Sequence, residues 1–271
     1  MRINLKNTLC SFGMITSGYS VFFYEISDII YKIIKEDNEM ESWLEREELL
    51  IGADNIEKLK NATVAVFGCG GVGSYAVEAL ARAGIGRFVL VDKDSVDVTN
   101  INRQLIADTT TVGEDKVEVE KYRILKINPN ANVEIYKEFY NEQNADKLIR
   151  QDYTYIVDAI DSVSSKLSLI RQAHDKGIKI ISAMGMGNKL NPTMIEFADI
   201  SKTSVCPLAK VIRKKLKESG IYHTKVVYSK ENPTRFDNSE ENKRTTASIS
   251  FVPSVCGLII ASEIVKDIIK Y

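Results

Sequence analysis

From Asn61 onward, short apolar runs alternate with longer segments in which apolar residues recur every third or fourth position. The runs "TVAVFG", "RFVLVD", "NVEIYKEF", "YTYIVDAI" and "IKIISAM" predict strands, because they are rich in β-branched and aromatic residues. Between them, "VGSYAVEALARAG", "EDKVEVEKYRILKIN", "NADKLIRQ" and "SSKLSLIRQAHDKG" predict helices. Strict alternation of this kind builds a parallel sheet with helical crossovers. The expected fold is therefore α/β: a Rossmann-like, doubly wound, mainly parallel sheet with helices on both faces.

After residue 190 the rhythm changes. "TMIEFADISKT" and "TKVVYS" predict two further strands, and between them "PLAKVIRKKLKESG" predicts a helix with proline in its first turn. Residues 230–247 are polar and rich in turn formers, which predicts a loop that either closes over a substrate or lacks fixed order. "SISFVPSVCGLIIASEIVKDIIK" predicts an apolar helix packed on the sheet. The expected organisation is an N-terminal extension over 1–39 and one domain over 40–271. That domain divides into a nucleotide-binding core over 40–190 and a C-terminal α/β extension over 191–271. Met40, before "ESWLEREELLIG", reads as an alternative translation start. Residues 26–36 suit a short amphipathic helix, but Gly13, Gly18, Glu25 and Asp28 interrupt the apolar pattern, so the extension does not read as a signal peptide.

Composition narrows the class of function. Lys plus Arg (36) balances Asp plus Glu (37), so any surface for a polyanion must be a local patch. Cys10, Cys69, Cys206 and Cys256 are scattered without a C-x-x-C pair, which argues against a structural zinc site and suits a reduced cytoplasmic protein. His174 and His223 stand far apart, as surface or packing residues rather than a metal centre. No apolar run reaches the roughly 18 residues needed to cross a bilayer.

The chemistry gathers behind the predicted strands, where open α/β sheets bind their ligands. Gly68-Cys69-Gly70-Gly71-Val72-Gly73 follows a strand and opens a helix. Gly68 suits the tight turn, Gly70 lets phosphate oxygens approach the backbone, and Gly73 allows the helix to pack closely. Asp92, 24 residues after Gly68, stands where a carboxylate accepts from ribose hydroxyls. Asp94, Asn100, Asn102, Arg103, Gln104 and Lys116 follow. An arginine and a lysine converging on phosphates suit phosphate-bond chemistry, whose transition state concentrates negative charge; hydride transfer has no such need. Asp158 and Asp161 end another predicted strand, where a carboxylate can hold Mg²⁺ against phosphates. Asp161 also suits a helix cap, since "SVSSKLSLI" follows it.

The strings "VFGCGGVGS", "LVDKDSVDVTNINRQ", "VGEDK", "INPN" and "DAIDSV" resemble the ThiF/MoeB superfamily, relatives of the ubiquitin-activating enzymes, over roughly residues 41–271. "ALARAGIG", "PLAKVIRKKLK", "VVYSKENP" and "SFVPSVCGLIIASE" are most similar to its tRNA threonylcarbamoyladenosine dehydratase branch. The resemblance implies a homodimeric enzyme that adenylates a carboxylate with ATP and Mg²⁺, with room in that expectation for a monovalent cation. Its substrate would be tRNA carrying threonylcarbamoyladenosine beside the anticodon, whose threonyl carboxylate then cyclises with net loss of water. By motif position, Gly70 and Gly71 would contact phosphate, Asp92 the ribose, and Asn100, Arg103, Gln104 and Lys116 the triphosphate, with Asp161 toward Mg²⁺. Arg46 would reach the opposite subunit's ATP, although in "EREE" it equally suits pairing with neighbouring glutamates. The alternative within the superfamily is activation of the Gly-Gly terminus of a ubiquitin-like sulfur-carrier protein, for which the zinc cysteines of many such members are missing. Cys206 stands where the branch places aspartate, so it is either a buried cysteine or a thiol nucleophile. Lys210, Arg213, Lys214, Lys215 and Lys217 crowd one helix and suit contact with tRNA phosphates, or an ordinary exposed face with Val211, Ile212 and Leu216 inward.

Overall fold

The computed structural model describes residues 42–234 and 246–271. The extension 1–39, the junction at Met40 and most of the polar loop expected over 230–247 lie outside the described residues. Chain compactness divides at Leu50/Ile51 into two units. Of the first, the described part is a single turn over Ser42–Leu44 and the start of helix α1 (Glu45–Ile51), which holds Arg46 on an exposed face.

The second unit is one seven-stranded sheet. Helix α2 (Ala53–Lys60) leads into β1 (Thr63–Phe67), α3 (Gly73–Arg82), β2 (Arg87–Val91), α4 (Lys116–Ile127) and β3 (Asn132–Tyr136). Next come α5 (Ala145–Leu148), β4 (Tyr155–Asp158), α6 (Val163–Asp175) and β5 (Ile180–Ala183). Strand β6 (Ile195–Asp199), α7 (Pro207–Glu218), β7 (Lys225–Ser229) and α8 (Phe251–Ile269) complete it. The order is β3-β2-β1-β4-β5-β7-β6, parallel throughout except for β6, which runs antiparallel to β7 at the edge. Residues beyond 190 therefore extend the same sheet.

Alternation along each strand feeds two cores. Val64, Val66, Phe88, Leu90 and Val157 face one side, where Val77, Leu80, Ile124, Val252 and Ile260 cover them. Ala65, Phe67, Val89, Val91 and Ile156 face the other, under Leu148, Leu169, Ile170, Ile212 and Leu216. Burying strands on both faces is why they read as continuous apolar runs. The helix expected over "NADKLIRQ" shrinks to the four residues of α5 behind a single turn over Glu142–Asn144. Beyond it, Arg150 leaves the helical path to pair with Glu134 on β3 at 2.6 Å. From β1 the chain crosses to β2 on one side, and later to β4 on the other. This reversal opens a crevice above their carboxyl ends.

Candidate active site

A cleft of about 390 Å³ occupies that crevice. Its floor is the turn after β1. Gly68 has φ of +96°, and a Cβ there would stand 2.7 Å from the Ala159 carbonyl oxygen. A Cβ on Gly73 would meet the Gly68 carbonyl oxygen at 1.8 Å, so helix and turn touch as the motif requires. At Gly70, by contrast, the nearest atom to such a Cβ is Gln104 Nε2 at 3.8 Å, leaving open space where a phosphate fits against bare backbone. Gly71 and Val72 complete the edge facing the cleft.

Asp92 sits at the end of β2. Its Oδ2 accepts from the Cys69 amide at 2.7 Å and its Oδ1 from the Asp94 amide at 2.8 Å, so the carboxylate ties the two strand ends together. Lys116, at the start of α4, is buried, yet its Nζ reaches the cleft 3.6 Å from Asp94 Oδ2. Arg103 Nη1 donates to the Thr99 carbonyl at 2.7 Å and to Asn102 Oδ1 at 2.9 Å, which braces the guanidinium on the cleft wall. Gln104 is buried beside it with Oε1 lacking a partner, an orphan of the kind a ligand satisfies. Asp161 stands exposed on the opposite rim.

Two expected nucleotide contacts lie elsewhere. Asn100 is absent from the lining; its Oδ1 accepts from the Asp97 amide at 3.2 Å and closes the turn that carries Arg103. Asp158 is fully buried and paired with Lys166 at 2.9 Å, because its side chain points into the sheet's packing rather than upward. Among the basic residues of α7, Lys210, Lys214, Lys215 and Lys217 are exposed, with Ile212 and Leu216 inward and Val211 on the surface. Arg213 differs, as its Nη1 is held by the Thr203 carbonyl at 2.9 Å and by Thr203 Oγ1.

Among the described residues no cysteine lines the cleft, and Cys10 lies outside them. Burial first, then Glu120 and Asp92, pushes the Cys69 thiol up, and burial takes that of Cys256 to about 12. Cys206 is buried just before α7. His174 and His223 are both exposed and outside the lining. Among the described residues no cluster of three or more His, Cys, Asp or Glu is poised to hold a metal. A cation here would bind as Mg²⁺ commonly does, by one or two carboxylates plus phosphate oxygens, which Asp161 fits.

Other lining residues escaped the motif reading: Glu138, Phe139 and Tyr140 after β3, Met186 and Gly187 after β5, and Thr246, Ser248 and Pro253 near α8. The first two groups stand at or just beyond predicted strand ends, where position alone could have exposed them; the third does not. Tyr140 packs edge-on against Phe67 with ring centroids 5.1 Å apart, and burial pushes its hydroxyl up to about 12. The cleft thus joins an aromatic wall to a cationic one, as a nucleotide with base and phosphates demands.

Comparison with known proteins agrees with this geometry. Residues 44–271 match the model of the ThiF family. A tRNA threonylcarbamoyladenosine dehydratase of Bacillus subtilis is 45% identical over 238 residues, covering 83% of this chain and 94% of its own. A Saccharomyces cerevisiae adenylyltransferase and sulfurtransferase, UBA4, is 37% identical over 149 residues, covering 55% of this chain and 34% of its own. Crystal structures of the Escherichia coli tRNA N6-threonylcarbamoyladenosine dehydratase, in complex with AMP and with ATP, superpose with a TM-score of 0.76 at 33% identity, covering 82% of this chain and 92% of theirs.

Proposed function

The chain belongs to the ThiF family, and from that premise we propose that it is an ATP-dependent tRNA threonylcarbamoyladenosine dehydratase. The observation that carries the reading is the convergence of Arg103, Gln104, Lys116 and Asp161 around the open backbone at Gly70 in a single cleft. The near full-length match to a named dehydratase, against a match to a third of the sulfurtransferase, favours tRNA over a sulfur-carrier protein as the substrate.

ATP lies with its phosphates on the Gly70–Gly71 backbone and its ribose toward Asp92. Lys116 and Arg103 neutralise the charge that builds on the α-phosphate when the threonyl carboxylate attacks it, and pyrophosphate leaves. Asp161 holds Mg²⁺, which supplies further neutralisation when bound. The carboxyl carbon, now bonded to AMP, is attacked by the neighbouring carbamoyl group; AMP departs and a ring closes, so the nucleoside loses one water overall. A monovalent cation accompanies Mg²⁺ in this reading. The enzyme works as a cytoplasmic homodimer, with Arg46 reaching the partner subunit's nucleotide and the exposed lysines of α7 meeting the tRNA backbone. No described helix is long and apolar enough to cross a membrane.

The test is incubation of the purified protein with ATP, Mg²⁺ and tRNA bearing threonylcarbamoyladenosine. AMP release together with a nucleoside one water lighter is expected. AMP transfer to a small protein ending in Gly-Gly, with the tRNA unchanged, would move the same site to sulfur-carrier activation.

A further inference from the structure

Beneath the rim that carries Asp161 lies a polar group outside the cleft lining. Asp158 and Lys166 are both completely buried, 2.9 Å apart. Lys166 Nζ has no further partner, Asp158 Oδ2 makes no hydrogen bond of good geometry, and the Ser182 hydroxyl on the adjacent strand stands beside the carboxylate. Burial pushes the Asp158 carboxyl up even with the ammonium beside it. Dehydrating two ions returns little net stability compared with an apolar pair of the same shape, so packing alone is a weak account of this arrangement.

The pair's reach is through the main chain. Asp158 Oδ1, the oxygen that faces Lys166, also accepts from the Ile160 amide at 3.2 Å. The Ala159 amide donates to the Phe67 carbonyl at 2.9 Å, and the Ala159 carbonyl abuts Gly68 so closely that a Cβ there would be 2.7 Å away. Residues 159 and 160 are therefore clamped between the buried carboxylate on one side and the glycine turn on the other, and Asp161 follows directly on that clamp. We propose that Lys166 is a positioning residue for the Mg²⁺–ATP complex: by holding Asp158 in place it fixes the 159–160 main chain and hence the carboxylate of Asp161. The proposal rests on reading the cleft as an ATP site with Asp161 toward the metal. Lys166 itself touches neither nucleotide nor metal.

The experiment is calorimetric titration of the full chain with ATP over a range of Mg²⁺ concentrations, without tRNA, with folding followed by circular dichroism. For K166M the Mg²⁺ needed for half-maximal tightening of ATP rises about tenfold or more, the usual effect of losing a group that orients a metal ligand. ATP affinity without Mg²⁺ stays near that of the unaltered chain. In D158N/K166M the amide oxygen still accepts from Ile160 and requires no counter-ion, so most of the Mg²⁺ response returns; in D158L/K166M it does not. If K166M fails to fold, the two double variants decide the matter. A folded K166M or D158L/K166M with the unaltered Mg²⁺ response would overturn the proposal and leave the pair a packing feature. An unaltered chain whose ATP affinity ignores Mg²⁺ would instead overturn the reading of Asp161, and the proposal with it. A chain that binds Mg²⁺–ATP yet leaves tRNA unchanged would unseat only the substrate.

Discussion

Lys116 and Glu120 stand one turn apart on α4, both buried, and they meet burial in opposite ways. Lys116 reaches Asp94 and the open cleft, so its charge has a partner and a task. Glu120 has neither: both carboxylate oxygens lack a hydrogen-bond partner, and desolvation, then the nearby charge of Glu78, pushes its carboxyl well above the ordinary range. The folded chain therefore retains a proton on Glu120 where the unfolded chain has lost it. Stability from this group is present below the ordinary glutamate value of 4.5 and drains away as pH rises above it toward the raised value. Replacing Glu120 with Gln removes the proton and its penalty together. Thermal melts of E120Q and the unaltered chain between pH 5 and 8.5 should diverge with rising pH, E120Q melting higher by a few degrees at the alkaline end. A difference that does not change with pH would mean that Glu120 ionises in the fold.

At the scale of elements, α7 is where sequence and structure divide most usefully. Its inward stripe, Ala209, Ile212 and Leu216, packs in the core, while four lysines stand in solvent. Arg213 spends Nη1 on Thr203, so the proposed contact with phosphates would fall mainly to the four lysines. K214E/K215E should weaken tRNA binding at low salt and flatten the dependence of log affinity on log salt by about two units, one per lost phosphate contact, while ATP binding is unchanged. An unaltered salt slope would return α7 to an ordinary solvated helix. Legibility follows range. Every strand and the long helices showed in the sequence because their signal is local periodicity, and the gathering of Gly68, Asp92, Arg103 and Lys116 at one cleft showed because a glycine turn, a strand end, a loop motif and a helix start mark those positions locally. Of the short α5 only the stop was hidden, since it goes with Arg150 pairing with Glu134, 16 residues earlier. Hidden too was the tie between Asp158 and Lys166: in "SSKLSLI" the lysine looks like a polar helix position, and only packing against β4 shows it to be buried. Asn100 caps its own turn instead of lining the cleft, and such a capping box reads like a ligand set when polar residues crowd one loop.

For the whole molecule, the sheet explains why one cleft serves: reversal of strand order between β2 and β4 gathers the ends of β1, β2 and β4 at one opening. Arg46 lies on α1, before that sheet begins, and is exposed. A role for it in a neighbouring protomer's site makes a sharp prediction, because a twofold dimer places two equivalent sites across one interface. R46A and K116A should each lose adenylation, K116A by about 10²–10³-fold, as for removal of one charge-stabilising donor. In a mixed dimer one site carries both substitutions, whereas the other takes Lys116 from the R46A protomer and Arg46 from the K116A protomer. Random reassociation of equal amounts makes half the dimers mixed and so restores about a quarter of the intact sites. AMP formation should rise to that level on mixing, with light scattering reporting a dimer throughout. If Arg46 served its own protomer's site, or only paired with Glu45, Glu47 or Glu48 on α1, mixing would restore nothing.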